Sequence, residues 1–424
     1  MPQTASSTRK SDDFPLSFRE FVALIATLMA TNALSIDPML PALPDIGAAL
    51  GIDDPNHRQW IITCYFLGLG IGALIYGPLS DRFGRRRVLL WSMALFLSST
   101  LFCALAPSFP LLLAGRFITG FFAAASRVIA VSIVRDRFQG DRMARVMSLA
   151  FIVFMIVPVL APAFGQAVLA IAPWRWIFGV LLILGVMAYA WIALRLPETL
   201  APENRVAINP RAFVRTLGTV VSNQSSIGYM LASGTVMGGL VGFITSVQQI
   251  FFDVFGAHDF FPYGFAMIAG CMALGSYFNS RLVERMGARR LSQSALIILI
   301  TLSAVHSLVA ATGFETLVSY IGFQALTMLL FSFTGSNFSA ISMEPFARGA
   351  GLASSFQAFL TTILSSLLGA LVGAQFNGTT LPLAIGFMGY GMIALLLVWW
   401  AERGRLFTRP HHGGIRPDPS EVAH

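Results

Sequence analysis

Twelve stretches of this chain run for about 20 residues with almost no charge, the length an α-helix needs to cross the hydrocarbon core of a bilayer. The first six are Phe21–Leu40, Trp60–Leu79, Val88–Ala106, Leu111–Val134, Met143–Ala172 and Trp176–Leu196. The second six are Ile227–Phe252, Phe260–Leu282, Leu291–Ala311, Leu317–Ile341, Gly349–Phe376 and Leu381–Trp400. Backbone in lipid must satisfy its own hydrogen bonds, so segments this long are expected to be helices. Composition agrees. The chain is 56% hydrophobic and 11% charged, whereas soluble domains carry roughly 25% charged residues. It has too few polar side chains to cover a water-facing surface. The fold class expected is an all-α integral membrane protein of twelve transmembrane helices in two six-helix halves.

The net charge of +8 could signal a nucleic-acid partner, but the placement of the charges argues otherwise. Of 28 Lys and Arg, 24 fall in the two tails and in the loops after even-numbered helices. They include Arg82, Arg85, Arg86 and Arg87, then Arg135, Arg137, Arg142 and Arg145, then Arg281, Arg285, Arg289 and Arg290. Only Arg58 and Arg175 lie in the opposite loops, and Arg116 and Arg127 lie inside the fourth helix. This bias predicts a multi-pass protein of the inner membrane with both termini cytoplasmic, and no nucleic acid among its partners. The first apolar segment is long enough to span, so no cleaved signal peptide is expected.

The expected organisation is a cytoplasmic tail over 1–17, a first half over 18–196, a cytoplasmic linker over 197–226, a second half over 227–402 and a disordered tail over 403–424. The linker carries Pro197, Pro202 and Pro210 with three arginines. The halves echo each other. Asp81-Arg82-Phe83-Gly84-Arg85-Arg86-Arg87 follows the second helix, and Glu284-Arg285-Met286-Gly287-Ala288-Arg289-Arg290 follows the eighth, 203 residues later. Duplicated halves related by an axis along the membrane normal, with a site between them, are a known transporter plan.

Enzyme signatures are not found. Gly68, Gly70 and Gly72 lack a third glycine at Ile75 and a preceding strand, so they do not make a dinucleotide loop. Gly68 and Gly72 fit a close helix contact better. No phosphate-binding loop is present, so ATP is not the expected energy source. No cofactor is expected, nor a metal: His411 and His412 in the tail are too weak a signal. Cys64, Cys103 and Cys271 all fall in spans and imply no disulfide framework.

The run Gly77-Pro78-Leu79-Ser80-Asp81-Arg82-Phe83-Gly84-Arg85-Arg86-Arg87 resembles the signature loop of the major facilitator superfamily. Gly77 permits close helix approach, Gly84 a tight turn, and Asp81 can pair with an arginine or cap a helix. The resemblance implies a cytoplasmic gate motif made of Gly77, Asp81, Arg82, Gly84, Arg85 and Arg86, able to latch the halves together. Further runs narrow the likeness: Ser35-Ile36-Asp37-Pro38-Met39-Leu40-Pro41-Ala42-Leu43-Pro44, Gly115-Arg116-Phe117-Ile118-Thr119-Gly120, Val134-Arg135-Asp136 and Trp174-Arg175-Trp176-Ile177-Phe178. These look like the bicyclomycin/chloramphenicol-resistance (Bcr/CflA) branch of drug:proton antiporters. That likeness implies export of amphipathic compounds, antimicrobials among them, against proton uptake. In the fifth helix the family pattern is Gly-Pro-x-x-Gly-Gly, whereas this chain has Ala161-Pro162-Ala163-Phe164-Gly165-Gln166. Pro162 and Gly165 survive, preceded by Pro158, and two prolines four apart should kink or loosen the helix.

An ionisable residue in mid-bilayer costs about 2.5–3.5 kcal/mol on insertion scales and so needs a reason. Asp37 is the acid inside the first helix. Such a carboxyl can hold a proton in one state and release it in another; the plainer alternative is a turn acid before Pro38. Arg116, at similar depth, is the expected cation, so Asp37 and Arg116 are the predicted proton-coupling pair, facing each other or sharing a cavity. Arg127 lies three turns on, on nearly the same face; it either lines the cavity or reaches to the membrane surface. Relatives in the resembled branch carry a second acid two turns before Asp37, where this chain has Met29, so Asp37 is expected to act alone. Asn32, Tyr65, Gln249 and Gln357 are further candidates for a substrate cavity, against plain interhelical packing, and His306 is expected to pack. The partners expected are a small-molecule substrate, protons and lipid, with the chain a monomer. The competing readings are a transporter of one endogenous metabolite, such as a siderophore, nucleoside or sugar, and a non-transporting membrane receptor or scaffold.

Overall fold

The computed structural model describes residues 15–138, 140–207, 210–346 and 350–407. Most of both expected tails, and Arg348, lie outside the described residues. Among these residues there are twelve helices long and apolar enough to cross a membrane. Spans 1 to 6 are Phe18–Ala49, Pro55–Phe83, Arg85–Leu105, Phe109–Arg137, Arg145–Leu169 and Arg175–Arg195. Spans 7 to 12 are Gln224–Val254, Phe261–Met286, Ala288–Thr312, Leu317–Met343, Gly351–Gly373 and Leu381–Ala401. All-helical architecture and span number are as the apolar runs predict. Large apolar side chains such as Leu194 (83% exposed) and Trp91 (69%) stand bare on the outside, which water would not tolerate over such an area and lipid does.

The duplication is visible in geometry. Spans 2 and 8 each end at a glycine, Gly84 (φ +98°) and Gly287 (φ +82°). Both take a backbone conformation that a Cβ disfavours, and the next helix starts immediately after each. In each half the first span is the most enclosed: the apolar windows of spans 1 and 7 are both 72% buried, against 33–44% for spans 3, 6, 9 and 12. Spans 1 and 7 therefore line the interior.

Span 1 is longer than its apolar run predicts, and it is broken. Its α-helix stops at Leu34, and a tighter 3₁₀ stretch runs from Asp37 to Ala42. Pro38, Pro41 and Pro44 explain this, since each removes a backbone donor and crowds the preceding turn.

The polar 197–226 stretch is not plain coil. It begins as extended chain held to the first half, with the Val206 N–H donating to the Asp81 carbonyl (3.1 Å). It continues as an amphipathic helix, Pro210–Ser222, whose Val220 is buried against Met230, Phe346 and Ala353 of the second half.

Candidate functional site

The halves are joined at the end remote from the arginine-rich loops. Asn56 Nδ2 donates to the carbonyls of Ala374 (3.3 Å) and Phe376 (3.0 Å). Gln59 Nε2 donates to Gln249 Oε1 (2.6 Å) and to the Gly373 carbonyl (2.9 Å). Gln249 Nε2 returns a bond to Asn56 Oδ1 (3.2 Å). Deeper in, the Ser366 hydroxyl of span 11 donates to the Thr63 carbonyl of span 2 (3.2 Å), and a separate bond runs from Gln166 Nε2 of span 5 to the His258 carbonyl (3.3 Å). One apolar core continues across the joint, from Met39, Leu40 and Ile61 to Val247, Phe251 and Phe261.

Span 4 shows how far this closure reaches. At about 100° per residue, Arg116 and Arg127 share a face, while Ile118 and Arg127 lie on opposite faces. Arg116 is 1% exposed and Ile118 is 42% exposed. At Arg127 the pattern inverts: this guanidinium lies deep among protein atoms yet is accessible. The inner face of span 4 is thus sealed at Arg116 and open at Arg127. That places Arg127 on an interior cleft rather than at the membrane surface.

Around Arg116 the chain builds a tight nest. Spans 2 and 4 cross on glycine: a Cβ on Gly68 would overlap the Phe117 carbonyl, and one on Gly120 would overlap the Tyr65 carbonyl. This is the helix contact predicted for Gly68, with Gly120 as its partner. The crossing lays Arg116 on the Tyr65 ring (4.5 Å from guanidinium carbon to centroid), an attraction strengthened where water is absent. Arg116 Nη2 donates to the Ser35 carbonyl (2.9 Å) and Nε to the Ile61 carbonyl (3.3 Å). The Tyr65 hydroxyl donates to Asn32 Oδ1 (3.3 Å). Asn32, Tyr65 and Arg116 are therefore one cluster.

Asp37 is 5% exposed, two residues beyond Ser35. The predicted pairing takes a different form. Arg116 grips the main chain of the break that carries Asp37 and forms no ion pair with the carboxyl. No hydrogen bond or ion pair joins the Asp37 carboxyl to any described residue. Span 5 closes over it: a Cβ on Gly165 would overlap the Pro38 carbonyl oxygen and come within 2.9 Å of its Cα. Pro162 and Gly165 are both buried, and span 5 continues as helix through Pro158 and Pro162.

The remaining candidates lie apart from this nest. Both amide atoms of Gln249 are committed to the joint between the halves, and Gln357 Nε2 donates to the Ser339 hydroxyl (2.8 Å), tying span 11 to span 10. In the loop motif, Arg85 (3% exposed) pairs with Asp81, with Asp136 Oδ2 (2.9 Å) and with the Ser80 hydroxyl (2.7 Å). These partners all belong to the first half, so in this conformation the cluster braces one half rather than latching two. Gly77 is the motif residue that meets the other half, where a Cβ would come within 2.8 Å of Ser355 Oγ. Arg82 lies over Phe83. Arg86 Nη2 donates to the Ala193 carbonyl (2.6 Å).

Several residues escape the sequence reading. Glu198 accepts from the backbone N–H groups of Arg85 (2.7 Å) and Arg86, capping span 3 from the linker. Asn56 and Gln59 sit in the 3₁₀ turn that opens span 2, just before the apolar run, with no pattern to flag them. Arg289 pairs with Glu344 and Glu402 (2.7 Å each), the second half's counterpart of the Arg85 network; the repeated basic run signals its arginine but not its acids. His306 does pack, but as half of a buried pair, with its Nε2 2.7 Å from Glu315 Oε1.

Two six-helix bundles joined at one end, parted around an interior arginine, and holding an unpartnered buried carboxyl in a broken helix define a membrane transporter fold. The chain belongs to the Major Facilitator Superfamily, whose family profile matches residues 22–374. It is 34% identical over 370 residues to the "Uncharacterized MFS-type transporter YdgK" of Bacillus subtilis (strain 168), covering 84% of this chain and 89% of that one. It is 28% identical over 394 residues to the "Bicyclomycin resistance protein homolog" of Haemophilus influenzae, covering 92% and 98%. Over 233 residues (53% of this chain, 59% of the relative) it is 30% identical to "Multidrug resistance protein MdtL" of Escherichia fergusonii. These relatives agree with the Bcr/CflA likeness carried by the motifs. Among solved structures, a D-xylose–proton symporter superposes with a TM-score of 0.70 at 14% identity, over 92% of this chain and 99% of that one. At that identity the likeness speaks for the fold alone.

Proposed function

We propose that this protein is a proton-coupled exporter of small amphipathic compounds, antimicrobials among them, working by alternating access between its two halves. The observation that carries the proposal is Asp37: a buried carboxyl with no ion-pair or hydrogen-bond partner among the described residues, set in the break of span 1. Insertion of such a group is costly, and reversible proton binding is the use that repays it. The arginine bias argues for the arginine-rich end in the cytoplasm of an inner-membrane protein, so the joint at Asn56, Gln59 and Gln249 closes the outward side, while inward the halves keep the contact of Gly77 with Ser355. Arg116 holds the break in place through the Ser35 carbonyl. Asn32 and Tyr65, sealed in this conformation, present polar edges to substrate once the nest opens, and Arg127 marks the cleft below them. A monomer suffices, since each half supplies one wall, and the proton gradient takes the place of a cofactor. One proton yields about 1.4 kcal/mol per pH unit and about 2.3 kcal/mol per 100 mV, enough for a substrate gradient of several hundredfold.

The resistance named in the Haemophilus and Escherichia relatives supports drug-like cargo over an endogenous metabolite. The test is proteoliposome transport under an imposed pH gradient, with susceptibility of a pump-deficient host as the cellular readout. Asp37→Asn should abolish gradient-driven efflux while leaving substrate binding within about twofold. Full pH-driven transport by this variant would show that Asp37 does not carry the proton. Protection by the wild-type chain against no compound in a broad panel would favour the metabolite reading.

A further inference from the structure

A pocket of about 460 Å³ opens at the arginine-rich end, outside the interior cleft. It lies between the ends of spans 2, 3 and 6 and the start of the linker, with Phe83, Arg86, Arg87, Arg195, Glu198 and Arg205 on its walls. Four guanidiniums thus face one carboxylate, and their partners are unevenly shared. Arg195 is neutralised by Glu20, which accepts from its Nε (2.8 Å) and Nη2 (2.9 Å). Glu198 spends its oxygens on backbone, accepting from the N–H groups of Arg85, Arg86, Thr199 and Leu200. Arg86, Arg87 and Arg205 have no carboxylate partner among the described residues, and the buried Nε of Arg86 has no hydrogen-bond acceptor at all. A generic basic loop would leave its arginines splayed in water. Here, although Arg87 and Arg205 are exposed, all four line one open pocket, and Arg86 holds an unfilled buried donor. Leu194 (83% exposed) and Phe83 (41% exposed), at the ends of spans 6 and 2, add bare apolar surface to its lining.

We propose that this pocket binds a phosphate-bearing anion, with the phosphodiester headgroup of an anionic phospholipid as the source that this bare apolar surface favours. The planar fork of arginine matches phosphate oxygens two at a time, and basic pockets between spans at a membrane surface take anionic headgroups. Phosphate oxygens fill the acceptor places that Glu198 cannot. Arg86 and Arg87 start span 3 while Arg205 lies on the linker, so a bound anion ties the linker to the first half.

The test uses the full-length protein and native mass spectrometry, with phosphatidylglycerol, phosphatidylcholine and inorganic phosphate offered separately. Wild type should retain phosphatidylglycerol in preference to phosphatidylcholine. Arg87→Gln/Arg205→Gln should lower that retention by about thirtyfold, taking the usual contribution of each surface arginine toward an anionic headgroup. Arg403→Gln/Arg405→Gln, an equal loss of charge on the other half, should leave it unchanged. Retention of inorganic phosphate without phosphatidylglycerol, lost in the same double variant, would keep the phosphate site and assign it a soluble source. Equal phosphatidylglycerol retention by wild type and both doubles overturns the proposal. Should the Arg87/Arg205 double unfold, Arg87→Lys keeps the charge without the fork. It should give intermediate retention, and wild-type retention there also overturns the site.

Discussion

At the scale of single residues, Gly165 matters as much as the charges. It is the survivor of a glycine-rich pattern in span 5, and it admits the Pro38 carbonyl where a methyl group would stand. Gly165→Ala should push span 5 off the break in span 1. Overpacking of this kind costs about 1–3 kcal/mol, so the midpoint of thermal unfolding in detergent should fall and efflux should fall with it. A variant as stable and active as wild type would mean that the contact is slack. Arg116 shows where residue-level reading from sequence stops. Its depth relative to Asp37 follows from counting along two antiparallel helices, and the structure puts both at one level. Its choice of partner does not follow, because main-chain carbonyls have no signature in the sequence. The break in span 1 exposes the Ser35 carbonyl, and Arg116 takes that instead of the carboxyl.

At the scale of elements, the twelve spans are legible because hydrocarbon imposes one length and one composition on every crossing. The joint between the halves is not legible, because a few amides decide it. Asn56 and Gln59 look like ordinary loop polarity, and only the fold brings them to Gln249 and Gly373. Gln59→Ala removes two of these bonds and orphans a buried amide, each unmet group costing about 1–3 kcal/mol. The expected outcome is a shift toward the state open at this end. A cysteine at Ser366, in a background without the native three, should react faster with an impermeant maleimide added outside when Gln59→Ala is present. An unchanged rate would show that the apolar core of the joint holds it without the amides. The orientation proposed above rests on arginine placement, which is a property of loops and needs no tertiary contact.

At the scale of the whole molecule, duplication organises what the sequence shows and what it hides. The Gly84 and Gly287 loops are recognisable in both halves, yet their ion partners differ in kind. Arg85 uses Asp81 and Asp136, whereas Arg289 uses Glu344 and Glu402. Each network lies within its own half, so each bundle is braced as a body and motion is left to the surface between them. The linker then sets a limit on that motion. Val206 is fastened to Asp81 on one half, and the helix from Pro210 is fastened through Val220 to the other. Four peptide steps lead from Val206 to the start of that helix and, at about 3.3–3.6 Å per residue, reach some 14 Å at full stretch, and the helix up to Val220 adds about 15 Å more. Deleting residues 207 and 208 should therefore slow turnover while leaving substrate affinity nearly intact, a split visible by comparing transport rates with equilibrium binding. Under the proposed alternating-access cycle this tether makes the inward mouth self-limiting: it opens only as far as the stretch from Val206 to Val220 allows, and cargo wider than that must enter end-on or not at all.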